Sequence, residues 1–138
     1  LFYDSVPEKE RRVFLEFAGD YYRDKDARIS IRFYLKGGLS KKAVTIAEEF
    51  SKDFLYAGIP EKMFLLISEF SDELINSSPY LLLYKGMFYM NSDRELALNI
   101  FISVMDGFKR IKDFSFLMNT FGMLLVVAYQ NNVFSFIK

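Results

Sequence analysis

The sequence predicts an all-α fold, a succession of antiparallel helical hairpins. Three observations predict it. Apolar residues recur at i, i+3, i+4 and i+7 through nearly every stretch between turn signals, the spacing of one helical face. Serine, aspartate and proline stand at the starts of those stretches, and glycine or asparagine at most of their ends, as helix caps require. The expected hairpin starts, Ser5, Ser40, Ser78 and Asp113, lie 35, 38 and 35 residues apart.

Taken in order, Ser5-Val6-Pro7-Glu8 has the form of a capping box with proline in the first turn. The helix it opens carries Val13, Phe14, Phe17, Ala18, Tyr21 and Tyr22 on one face, with Glu10, Arg12, Glu16 and Arg23 mostly off it. Asp24-Lys25-Asp26 makes a turn and caps a second helix, whose inner side holds Ala27, Ser30, Ile31, Tyr34 and Leu35. Gly37-Gly38 stops it, because glycine enters the left-handed conformation without steric cost. Ser40 starts a third helix with Ala43, Ile46, Ala47, Phe50 and Phe54 inward, and Gly58 ends it. Pro60 opens a fourth through Met63, Leu66, Ile67, Phe70 and Leu74.

Ser78 and Pro79 then cap a stretch, Tyr80 to Met90, that is apolar on every side except at Lys85 and Gly86. A helix apolar on every side must be enclosed by neighbours. Ser92 and Glu95 read as a second capping box, opening a helix with Ala97, Ile100, Phe101, Val104, Met105, Phe108 and Ile111 on one face. Gly86 is the small residue expected where these two helices cross. Asp113 caps a seventh helix with Phe114, Leu117, Met118, Phe121, Leu125 and Ala128 on one stripe. Asn131-Asn132 is expected to break it, and Val133 to Lys138 to begin an eighth element.

A helix–turn–helix unit of about 34 residues is the period of the tetratricopeptide repeat. Small residues recur where such units approach closely: Ala18-Gly19 then Ser30, and Gly86 then Ala97, in both cases with a gap of 11, one short of the usual TPR spacing. The consensus tryptophan is absent, so the repeats are TPR-like. The expected architecture is a single domain over residues 1–138, with hairpins at 5–37, 40–75 and 78–112 and an incomplete one at 113–138. These stack as a TPR-like right-handed superhelix of about seven helices. A chain opening on Leu1 and ending at Lys138 reads as a fragment of a larger protein.

Composition excludes several functions. Lys+Arg and Asp+Glu are both 18, and with no basic stripe, direct nucleic-acid binding is not expected. Without cysteine there are no disulfides or thiolate metal sites. Without histidine the commonest general base and metal ligand is missing. Gly37-Gly38 lacks the trailing Lys-Ser/Thr of a phosphate loop. The sequence therefore nominates no catalytic, cofactor-binding or metal-binding residue, and no enzyme is expected. Glu48-Glu49 and Glu69, Asp72 and Glu73 read as solvated helix faces. Asn76-Ser77-Ser78 matches a glycosylation acceptor but doubles as helix stop and helix cap. Residues 114–137 carry no charge, yet their longest unbroken apolar run, Met123 to Tyr129, is too short to span a membrane. No signal peptide opens the chain, so a cytoplasmic location is expected.

The chain holds 16 Phe and 9 Tyr, 18% of its residues. Bulky rings filling gaps between stacked helices account for most, and Phe17, Phe50, Phe70, Phe101 and Phe121 sit on expected core stripes. Tyr21, Tyr22, Tyr34, Tyr56, Tyr84 and Tyr89 are the candidate ligand or partner surface, since a phenol joins a flat apolar face to a polar tip. Leu125, Tyr129, Phe134 and Phe136, in the uncharged C-terminal stretch, are the candidate exposed face onto which a further repeat would stack.

The running order resembles the helical-repeat region of MalT-type, ATP-dependent bacterial transcriptional activators of the STAND class. Leu1-Phe2-Tyr3-Asp4-Ser5-Val6-Pro7-Glu8-Lys9-Glu10-Arg11-Arg12 resembles the segment leaving the winged-helix module after the ATPase. Ala18-Gly19-Asp20-Tyr21-Tyr22, Ala27 to Gly37 and Lys41-Lys42-Ala43 to Glu48 resemble the helices that follow. Ser78-Pro79-Tyr80-Leu81-Leu82-Leu83-Tyr84-Lys85-Gly86 resembles the proline-led helix before the TPR-like array. Val13-Phe14 stands where many relatives have a histidine. The resemblance implies an effector-sensing and protein-interaction region of a signal-transducing regulator, with the ATPase and DNA-binding modules outside this chain. Its partners would be those neighbouring domains, a second copy, and a small-molecule effector such as the oligosaccharide inducer of the maltose-responsive members. A free-standing TPR-like adaptor that binds an extended peptide is the alternative.

Overall fold

The structure, a computed structural model, describes the backbone of residues 2–57 and 60–136 and the side chains of residues 4–55 and 60–132. The fold is all-α, with no strand among the described residues. The helices are α1 (Phe2–Ser5), α2 (Glu8–Tyr22), α3 (Ala27–Lys36), α4 (Ser40–Ala57), α5 (Pro60–Ile67), α6 (Asp72–Asn76), α7 (Pro79–Tyr89), α8 (Arg94–Ile111) and α9 (Phe114–Phe136). They form two compact units, Leu1–Leu74 and Ile75–Lys138, divided within α6.

In the first unit α2 packs on α3, α3 on α4 and α4 on α5. Asp26 caps α3, its carboxylate accepting from Ile29 N at 3.1 Å. Gly38, at φ 73, turns the chain out of α3, and Leu39 N donates to Tyr34 O at 2.8 Å. The helix contact is tightest at Gly19. A Cβ there would lie 2.4 Å from the Tyr34 ring, and Ser30 Oγ donates to Gly19 O at 2.7 Å.

The second unit repeats this arrangement. Here α7 packs on α8 and α8 on α9. Asp93 caps α8 through Leu96 N at 3.1 Å, and a Cβ on Gly86 would lie 2.7 Å from the Phe101 ring. Gly86, Asp93 and Phe101 follow Gly19, Asp26 and Tyr34 by 67 positions each. At the far end the offset becomes 74. Lys112, at φ 60, takes the place of Gly38, and Asp113 N donates to Phe108 O at 3.0 Å as Leu39 N does to Tyr34 O. From the capping aspartate to the left-handed residue the second unit is thus seven residues longer, two turns.

Several local expectations are corrected. Ser5 ends α1, and α2 begins at Glu8 with Pro7 at its N-cap and no side-chain cap bond. Asp93, one residue past Ser92, is the cap of α8. The helix expected from Pro60 through Leu74 ends at Ile67. There Glu69 N and Phe70 N turn back to Leu66 O and Ile67 O at 3.1 and 3.0 Å, tightened bonds that close a helix. Ser71 Oγ then accepts from Leu74 N at 3.4 Å and starts α6. The α9 helix runs through Asn131-Asn132 to Phe136, because asparagine weakens a helix interior only mildly and no Pro or Gly stands there. Gly58 lies outside the described residues.

Faces differ too. Leu15 and Gly19 are the buried positions of α2, while Val13, Phe14, Phe17 and Tyr21 are exposed. The α7 helix buries Tyr80, Leu81, Leu83 and Tyr84 but leaves Phe88 exposed, and Ile111 is exposed on α8. Gly107 is buried in α8 instead, where a Cβ would meet Pro79 Cβ at 2.8 Å.

Because both ring contacts leave no room for a methyl, Gly19→Ala and Gly86→Ala should each lower unfolding free energy by about 1–3 kcal/mol in urea titrations. In dilute solution Gly122→Ala, with nothing within 4 Å of the added carbon, should raise it by about 0.5–1 kcal/mol. Lys112→Gly should raise it by about 1 kcal/mol, since lysine is strained in the left-handed region.

Candidate functional site

The six tyrosines do not share one environment. Tyr34 is fully enclosed, its hydroxyl donating to the Asp20 carboxylate. Tyr84 is also enclosed, and burial pushes its phenol above the ordinary range. Neither ring can receive a ligand, because each is already the filling of its own core. Tyr56 lies outside the described side chains.

Tyr21 and Tyr22 meet edge to face, centroids 5.1 Å apart. One face of Tyr21 carries Lys25 Nζ at 3.9 Å, and Tyr22 stacks on Phe33 at 5.8 Å. In the second unit Tyr89 is half-buried and meets Phe88 edge to face at 5.2 Å. Leu125 and Tyr129 are exposed on α9; the Phe134 and Phe136 side chains lie outside those described.

The more extensive surface was not anticipated from periodicity. On α2, Val13, Phe14 and Phe17 point to solvent, although their counterparts 67 positions on, Tyr80, Leu81 and Tyr84, are buried. Phe17 is 70% exposed where Tyr84 is 0%. On α9 the buried positions are Phe116, Thr120 and Val127, and a second apolar stripe, Phe114, Met118, Phe121, Leu125 and Tyr129, is exposed. Phe17 and Phe121, expected in the core, are therefore surface residues. The available signal was the all-round apolarity of α9, which one covered side cannot account for.

Polar groups brace the first unit. Lys42 Nζ bonds Glu16 at 2.6 Å and reaches Asp20 at 3.4 Å, while the Arg23 guanidinium meets both Glu49 oxygens at 2.9 and 2.8 Å. Glu69 is not a solvated-face residue: half-buried, it accepts from Arg28 at 2.6 Å and pairs with Arg32 at 2.9 Å. Arg32 chiefly, with Arg28, holds its carboxyl below the ordinary carboxylate range.

Several clefts indent the described surface, among them two with mixed polar and apolar linings. One of about 620 Å³ lies between the start of α2 and the end of α3, lined by Lys9, Arg11, Arg12 and Lys36 with Glu8. The other, about 370 Å³, lies between α7 and α8, with Asn76, Ser77, Ser103 and Arg110 beside Leu82 and Ile111. Among the described residues no group of three or more acidic residues gathers in metal-binding geometry, and no helix is long and apolar enough to cross a membrane. Comparison with protein-family models, curated proteins and solved structures finds no match for this chain.

The Tyr34 hydroxyl, followed by Lys42, holds the Asp20 carboxyl below its ordinary value near 3.8. A depressed carboxylate stabilises the fold above that value and loses the contribution as pH falls through the lowered one. Tyr34→Phe should thus cost about 1 kcal/mol or less near neutrality, Asp20 being well exposed. The gap between variant and wild type in denaturant midpoints should narrow below about pH 4.

Proposed function

We propose that the chain is a protein-docking helical-repeat domain, a TPR-like right-handed superhelix, serving as the effector-sensing region of a MalT-like transcriptional regulator. It would control an upstream ATPase module and a separate DNA-binding domain by contacts with them. The observation that carries the docking reading is the pair of uncovered apolar faces on α2 and α9, with α2's counterparts on α7 buried. A repeat unit cannot cover its own outer face, so such a face is where the next body docks. The regulator reading draws on the running-order resemblance, from the Ser5-Val6-Pro7-Glu8 segment to Pro79 and Gly86. For a small-molecule effector, Tyr21 and Tyr22 in the first unit and Tyr89 in the second remain the aromatic surface.

A second reading, a free-standing adaptor for an extended peptide, draws on the groove between α7 and α8, where polar Asn76, Ser77 and Ser103 flank apolar Leu82.

The reading frame on both sides separates the two. The regulator requires a P-loop segment before Leu1 and a basic DNA-binding module at one end; a frame with neither sinks it and leaves the adaptor. In the full-length protein, Phe14→Ser with Phe17→Ser should lower ATP-dependent activation by about tenfold or more. The same pair should leave the melting temperature of this chain within a few degrees of wild type.

A further inference from the structure

Helical glycines in this chain have visible reasons. Gly19 lies under the Tyr34 ring, Gly86 under Phe101 and Gly107 under Pro79. Gly122, inside α9, has nothing within 4 Å of where a side chain would start. Glycine is disfavoured within a helix unless something needs the space. Gly122 borders the exposed stripe of α9, at its middle, so the stripe is notched there, with open space over the backbone.

The stripe is also its own mirror. Reflection about the point midway between Phe121 and Gly122 exchanges Phe114 with Tyr129, Met118 with Leu125, and Phe121 with Gly122. Aromatic meets aromatic, aliphatic meets aliphatic, and a ring meets the notch. We infer that α9 pairs antiparallel with the α9 of a second copy, about a two-fold axis at that midpoint, each Phe121 ring seated on the other copy's Gly122. A two-fold interface must be complementary to itself. From Phe114 to Phe136 the helix carries no Asp, Glu, Lys or Arg, so no like charges oppose each other across the axis.

Size fits a real but weak dimer. The five stripe side chains are 40 to 71% exposed, and each presents roughly 150–250 Å² when whole. With every stripe side chain covered, two copies would remove about 900–1,400 Å² from water, around the lower bound for a specific interface. The inference rests on the docking reading of the α9 face and names its occupant; the α2 face takes no part in it.

Sedimentation of the 138-residue chain between about 1 and 500 μM should show a reversible dimer with a dissociation constant in the micromolar range. Phe121→Glu should weaken it at least tenfold without changing the dilute melting temperature, and Phe17→Glu on α2 should leave it unchanged. Since the chain has no cysteine, orientation can be read by cross-linking. Met118→Cys chains mixed with Leu125→Cys chains should form an inter-chain disulfide on oxidation that neither variant forms alone. Within one helix those positions are about 10 Å apart, beyond disulfide reach. A chain that stays monomeric overturns the inference, as does a dimer insensitive to Phe121→Glu. A disulfide formed by Leu125→Cys chains alone means parallel helices and overturns it too. The Phe14 and Phe17 experiment decides the docking reading separately in each case.

Discussion

The seating of an aromatic ring on a helical glycine governs both halves of this protein. Tyr34 on Gly19 and Phe101 on Gly86 bring two backbones closer than any side chain at those positions would allow. In the first unit the approach is near enough for Ser30 to bond a carbonyl of the neighbouring helix. It also sets the rotation of α2. With Gly19 and Leu15 turned inward, Val13, Phe14 and Phe17 face out, whereas behind the same contact α7 buries Tyr80, Leu81 and Tyr84, so the contact fixes the register and not which outer positions are covered.

Around this shared contact the units brace themselves differently. The first uses charge: Asp20 accepts from the Tyr34 hydroxyl, and Lys42 of α4 joins Asp20 and Glu16 of α2. At the matching positions of the second unit stand Met87 and Phe101, which form no such pair. There Tyr80 reaches from α7 to Asp113 at 2.5 Å, and Asp113 also caps α9 through Phe116 N at 3.2 Å. The Tyr80, Phe108 and Phe116 rings lie 4.9, 5.0 and 5.3 Å apart pairwise. Polar and aromatic bracing thus perform the same task of tying the first helix of a unit to its third.

Helix type and most boundaries were legible in the sequence because caps are local chemistry. Asp26, Ser78 and Asp113 each declare a start within three residues of the bond they accept. Which side of a helix faces inward was less legible. Periodicity locates an apolar stripe on α2 but is blind to a narrower seam of Leu15 and Gly19, whose weight comes from Tyr34, 15 positions later. For α9 the count of apolar residues serves two sides, and spacing alone does not assign them. The break at Ser68 to Ser71 was written in Ser71, Asp72 and Glu73, a cap followed by acidic first-turn residues, though the apolar rhythm of Phe70 and Leu74 runs across it. Glu69 looked like one more surface acid because its partners, Arg28 and Arg32, lie some forty residues earlier. As for the tyrosines, the trait that made them candidates, a ring with a polar tip, equally suits a core position with one buried acceptor, as at Tyr34.

The extra length of α8 has a consequence for how this architecture can vary. Seven residues return a helix to within about 20° of its starting phase. Phe101 can therefore stack at the Gly86 crossing, and Phe108 can close the far end, on the same side of the rod. An addition of five residues would have swung the terminus by about 140° and sent the following segment off in another direction. An insertion that keeps both contacts on one side of the rod must return the helix close to its starting phase, as steps of about seven or eleven residues do.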